Sequence, residues 1–112
     1  MLDALSANIE RYMDLLSARQ KLAASNIANA DTPGYKAKDI DFQQEFASML
    51  NGQQPLTIDA PGLPEKPDGN NVNIDREARM LAENAMRFNV ASNLLRQQIN
   101  SVKEAITGGS GS

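Results

Sequence analysis

From Ile74 to Ile106 the chain repeats small or apolar residues at alternating steps of four and three: Ile74, Ala78, Leu81, Ala85, Phe88, Ser92, Leu95, Ile99, Val102 and Ile106. Ser92 is the only polar member, and the pattern is that of a helix carrying a coiled-coil seam. At ~1.5 Å per residue such a helix runs on the order of 50 Å, which a compact globule of this chain length cannot bury against itself. Asn73 stands where an N-cap belongs, Asp75 and Glu77 suit the positive end of the helix dipole, and Lys103 suits the opposite end.

A second long helix is expected at the other end of the chain. Leu2, Leu5, Ile9, Met13, Leu16, Ala23, Ile27 and Ala30 recur at helical spacing with no Gly or Pro among them, and Asp3 is placed to cap the start. Asp31-Thr32-Pro33-Gly34 ends it, because Pro33 disfavours helical geometry at Thr32 and Pro-Gly fits a type II turn. Between the two helices, Asp41 to Leu50 reads as a short helix with Phe42, Phe46 and Leu50 on one face, a capping box of Asp41 with Gln44, and a stop at Asn51-Gly52. Pro55, Pro61, Pro64 and Pro67 then predict an extended or mobile connector, within which Leu56 and Ile58 suggest a brief strand.

The fold class expected is therefore all-α: long N- and C-terminal helices forming an antiparallel coiled-coil-like pair, with a short middle helix and a Pro-rich extended connector. The divisions are 1–32, the N-terminal helix; 33–73, turn, short helix and connector; 74–107, the C-terminal helix; and 108–112, a Gly/Ser stretch of flexible-linker composition read as an appended tail. Helix-on-helix seams also suit the composition. Aromatics are 4% of the chain and there is no Trp, so few side chains can anchor a thick core.

Several function classes fall away on residue types alone. The chain has no Cys and no His, which removes disulfides, thiolate zinc sites, the thiol nucleophile and the commonest general base. Asp39 and Asp41 lie two apart, but an EF-hand loop needs a Gly where Gln44 stands. Asp68 to Asp75 is rich in oxygen ligands, yet a turn leading into a helix cap explains it. A small hydrolase using Asp39, Asp41 or Glu45 has no activating base beside it. Catalytic residues, cofactors and metals are accordingly expected to be none.

The net charge of -3 comes from the stretch between Lys36 and Asp68. Arg76, Arg79, Arg87 and Arg96 alternate with Asp75, Glu77 and Glu83, which reads as a solvated helix face and not as a nucleic-acid stripe. No segment has the length for a membrane span, and the N-terminus lacks a basic region followed by an apolar run.

Small residues cover nearly every helix position from Leu22 to Ala30, which lets another helix approach closely, while Asn26 and Asn29 offer amides to bond across a seam or cap a turn. The run Ala24-Ser25-Asn26-Ile27-Ala28-Asn29-Ala30-Asp31-Thr32-Pro33-Gly34-Tyr35 resembles the N-terminal signature of the flagellar rod and hook family of axial proteins. The resemblance implies terminal helices that join as a coiled coil lining the inner tube of an axial structure. It further implies export by the flagellar type III machine without a cleaved signal, and a location in the basal-body rod within the periplasmic space. Implied partners are further copies of the chain, other rod proteins, the adaptor and membrane-ring proteins at the rod base, and the export apparatus. Nucleic acid and direct membrane insertion are not expected. Signature residues for subunit packing are then Asn26, Ile27, Asn29, Ala30, Thr32, Pro33, Gly34 and Tyr35, and seam residues Leu5, Ile9, Leu16, Ile74, Leu81, Phe88, Leu95, Ile99 and Val102. The competing reading is a soluble coiled-coil adaptor or export chaperone that forms a discrete dimer.

Overall fold

A computed structural model describes residues 4–49 and 55–111, in the order α1 (Ala4–Ala28), β1 (Lys38–Asp39), α2 (Phe42–Met49), β2 (Ile58–Asp59) and α3 (Ile74–Gly111). The expected roles of Leu2, Asp3, Leu50 and Asn51-Gly52 lie outside the described residues. The chain is elongated, 70 × 26 × 17 Å, because α3 alone runs 38 residues.

The helices begin and end for the local reasons their residues supply. Asn73 caps α3, its Oδ1 accepting from the Arg76 amide at 3.0 Å. Asp41 caps α2 in the same way, accepting from the Gln44 amide at 3.3 Å. After α1 the chain tightens through successive turns and reaches Thr32-Pro33-Gly34-Tyr35, where the Tyr35 amide bonds the Thr32 carbonyl at 3.2 Å and Gly34 adopts φ +74°. That is the type II turn expected from Pro-Gly, whose third position needs the left-handed region. At its far end α3 continues through Gly111, past the expected boundary at residue 107. Gly108 stays out of the left-handed region, so no terminating cap forms there.

The chain is mostly helical, as expected, with one small addition. β1 and β2 pair antiparallel, Lys38 opposite Asp59 and Asp39 opposite Ile58, and the Ala60 amide extends the ladder to the Ala37 carbonyl at 2.8 Å. Lys38 and Asp59 face one another as an ion pair, the opposite-charge cross-strand pair that favours this register. The proline-rich segment docks back on the end of α1: Ala60, Leu63 and Val72 pack with Ala30, Tyr35 and Ala37 in a small apolar cluster.

The main core is thin, as few bulky residues allow. Leu15, Leu16 and Ala23 of α1 and Ala91 of α3 are buried, and Tyr12 meets the rings of Phe42 and Phe46 edge to face at 5.5 and 6.4 Å, which seats α2 on α1. Among the described residues, buried polar side chains are nearly as numerous as buried apolar ones, and Glu77, Asn26 and Asn70 rank with Leu15 and Leu16 as the largest that are fully enclosed. Such groups must be paired to be tolerated, so polar bonds position this fold as much as apolar area does.

Candidate functional site

Asn26 is the centre of the signature segment's structure. It is 0% exposed and uses both ends of its amide: Nδ2 donates to Glu77 Oε1 at 2.6 Å and to the Lys38 carbonyl at 2.8 Å, while Oδ1 accepts from the Lys38 amide at 2.9 Å and the Tyr35 hydroxyl at 3.2 Å. One side chain thereby ties together α1, β1, the signature turn and the start of α3.

Around it lies a charged cluster. Asp39 accepts from Arg19 Nε at 2.8 Å, Arg19 Nη2 at 3.0 Å, Arg76 Nη2 at 2.8 Å and the Ile40 amide at 2.7 Å. Arg76 Nη1 reaches on to Glu77 Oε2 at 2.7 Å. Burial pushes the Asp39 carboxyl upward, but the bonds from Arg19, Ile40 and Arg76 and the Arg19 charge outweigh it and hold the group below its ordinary 3.8. Arg76 and Glu77 therefore do not belong to a solvated face as the charge pattern suggested, whereas Arg87 and Glu83 do, with both side chains more than half exposed.

The rest of the signature forms the other jaw of the clamp. Asn29 Nδ2 donates back to the Ser25 carbonyl at 2.9 Å, and its Oδ1 accepts from Thr32 Oγ1 at 3.1 Å. Asn70 Nδ2 donates to the carbonyls of both Asn29 and Thr32 at 2.9 Å, capping the end of α1 from the connector. Asn71 Oδ1 accepts from the Ala37 amide at 2.7 Å, and the Gly34 amide bonds the Asp68 carbonyl at 2.8 Å. Gly69, at φ +85°, lies so close to Gly34 that a Cβ there would meet Gly34 Cα at 3.4 Å. Ala30 is buried in the small cluster, Ile27 is partly buried, and Pro33 is exposed beside Gly34.

Along the helix pair, Asn26 meets Glu77 and Gln20 Nε2 meets the Leu81 carbonyl at 3.2 Å, so rising numbers on α1 lie opposite falling numbers on α3. Leu16 is buried and Ile9 partly so, while Leu5 is 54% exposed. On α3 the row enclosed against α1 is Glu77, Asn84 and Ala91, spaced by sevens. Leu81, Leu95, Ile99 and Val102 are half-buried at the edge of that row, and Ile74 and Phe88 are exposed, at 52% and 38%. The helix is rotated toward its polar flank because Asn26 and Gln20 on α1 draw that flank in. Much of the apolar stripe read from the sequence is consequently left at the surface, where Ala78, Ala85 and Ile106 are also exposed.

Sequence reasoning did not anticipate Arg19, Asn70, Asn71 or the inward turn of Glu77. The Asp68 to Asp75 segment was legible as a turn running into a cap, and that is what it is. Among the described residues, no helix is long and apolar enough to cross a membrane.

The family model for "Flagella basal body rod protein" matches residues 13–36, which span the greater part of α1 and the signature turn. The flagellar basal body rod protein FlgB of Salmonella typhimurium is 32% identical over 97% of this chain and 99% of its own length. FlgB of Escherichia coli K12 is 32% identical over the same shares, and that of Bacillus subtilis 29% over 91% and 92%. The chain belongs to the FlgB family of flagellar basal body rod proteins. This is a family of structural proteins and not of enzymes.

Proposed function

We propose that the chain is a structural subunit of the flagellar basal-body rod, exported by the flagellar type III system and assembled through antiparallel coiled-coil packing of its terminal helices into a helical axial tube. The observation that carries this reading is a likeness to FlgB over nearly the whole chain, joined to an α3 stripe that α1 leaves partly uncovered.

Folding is staged. A helix pair whose inner row is Glu77, Asn84 and Ala91 buries little apolar area, so the ends of the free subunit are loosely held and an extended chain can pass a narrow channel. On arrival, neighbours cover Ile74, Phe88, Leu95, Ile99 and Val102. Each large side chain so buried contributes ~1.5 to 3 kcal/mol, which offsets the ordering entropy. The subunit then sits in the rod across the periplasmic space. Its neighbours are copies of itself, other rod proteins, and the adaptor and ring proteins at the base.

Replacing Leu95 or Ile99 by Asp tests the reading, because a charge buried in a subunit seam without a partner is strongly unfavourable. The expected result is a chain that is still exported yet absent from purified basal bodies, in non-motile cells. Normal motility in those strains contradicts it. Sedimentation of the wild-type chain as one stable dimer that grows no further at any concentration would favour the discrete adaptor instead.

A further inference from the structure

On the side of the helix pair away from α2, a groove runs between α1 and α3. Its upper part, about 310 Å³, is walled by Leu16, Gln20, Asn84, Ala85 and Phe88. Its lower part, about 280 Å³, shares Ser17 and Phe88 with the first and continues past Met13 and Leu95 to Glu10 and Asp14. From Gln20 to Glu10 this is roughly 15 Å along α1, the length of about three helical turns.

Two features give the groove a defined chemistry. At its upper end Asn84, only 4% exposed, has a side-chain amide Nδ2 with no partner among the described residues, and Gln20 has a side-chain Oε1 with none among them. A buried donor and a buried acceptor left unmet on the same groove are each costly. A hydroxyl has the chemistry to meet either, since it can accept from the amide and donate to the oxygen. At the lower end Glu10 and Asp14 are exposed and, among the described residues, hold no ion pair.

The half-exposed flank of α3 carries the complement in the same order. Ser92, the lone polar member of its apolar stripe, has no bonded partner among the described residues. Ile99 and Ile106 follow on that face, and Arg96 and Lys103 flank it with no carboxylate partner among the described residues. From Ser92 to Lys103 is roughly 16 Å at helical rise, matching the groove. Resting on the rod-subunit reading, we propose that this groove receives the Ser92 to Lys103 flank of α3 from a second copy of the chain. Ser92 lies at Asn84 and Gln20, Ile99 over Met13 between Phe88 and Leu95, and Arg96 and Lys103 at Asp14 and Glu10. The contact joins two unlike surfaces, a heterologous pairing.

The test is sedimentation velocity on the full-length chain over a concentration series, with circular dichroism to check that each variant keeps its helix content. A chain with Glu10→Lys and Asp14→Lys, and a second with Arg96→Glu and Lys103→Glu, should each self-associate about tenfold more weakly than wild type. Mixed, they should recover association, because the reversed groove of one meets the reversed flank of the other. Asn84→Leu should weaken association while leaving the melting temperature of the free chain the same or higher, since it removes an unmet buried amide. The proposal is overturned if the wild-type chain does not self-associate, if the charge variants associate as wild type does, if mixing restores nothing, or if Asn84→Leu lowers the melting temperature and leaves association intact. Rods that assemble normally from the charge variants would overturn this contact and leave the rod reading standing. Absence of the wild-type chain from basal bodies would remove that reading itself.

Discussion

The Asn26 amide donates to the Glu77 carboxylate at 2.6 Å across 51 residues of sequence, and both side chains are fully enclosed. This bond fixes where α3 starts relative to the signature turn. It also explains why a glutamate, which is almost never fully buried without a partner, faces inward here: Asn26 takes one oxygen and Arg76 the other.

Asn26→Ala should therefore cost more than an ordinary cavity. It removes four hydrogen bonds and leaves Glu77 buried with only Arg76, for a loss of about 3 kcal/mol or more. Glu77→Gln keeps an acceptor for Asn26 and should cost less than Asn26→Ala. Urea unfolding of the two variants at neutral pH gives the order; equal costs would mean that the amide is not the organising group.

The helices and the Thr32-Pro33-Gly34 turn were legible in the sequence because their signals are local: a 3.6-residue period, a cap residue, a Pro-Gly pair. The phase of α3 was not. Its rows Ile74, Leu81, Phe88, Leu95 and Glu77, Asn84, Ala91 both repeat by sevens, and apolar character alone favours the first. The choice was made by Asn26 and Gln20 on another helix, which no reading of α3 by itself contains. The strands escaped for a related reason, since a two-residue strand has no period, although Leu56 and Ile58 hinted at one side of the ribbon. Arg19 looked like any charged residue on a helix, and its place beside Asp39 depends on where β1 is carried by the turn.

Asp39 gives the clamp a pH dependence whose sign is set by its lowered pKa. The folded state holds the carboxylate more tightly than the unfolded chain does, so its contribution is complete above the ordinary 3.8 and is lost as pH falls through the lower folded value. Urea midpoints followed from pH 6 to pH 2 should fall steeply below pH 4 for wild type. Asp39→Asn should start less stable at pH 6 and lose less on acidification; parallel curves would refute the assignment.

Gly34 and Gly69 separate backbone strain from crowding. Gly34→Ala meets open space but must hold φ +74°, which costs about 1 kcal/mol. Gly69→Ala adds to a φ of +85° a Cβ that presses on Gly34 at 3.4 Å, so it should be the more damaging of the two. Thermal melts of both variants, with Gly62→Ala at φ +74° in open space as a comparison, should rank Gly69 apart from the other two.

Leu16 and Phe88 lie on the same groove but differ in what covers them. Leu16 is 2% exposed, so its truncation to Ala removes buried area and leaves a cavity, with an expected cost of 2 to 5 kcal/mol, on the order found for buried leucines. Phe88 is 38% exposed and loses only part of its contacts within the chain. Phe88→Ala should thus lower the melting temperature of the free subunit much less than Leu16→Ala. In assembled basal bodies the order should reverse for a Phe88→Asp chain, which folds alone yet places a charge where a neighbour packs. If Phe88→Asp entered rods as readily as wild type, Phe88 would be an ordinary exposed aromatic and the uncovered stripe would have no role in assembly.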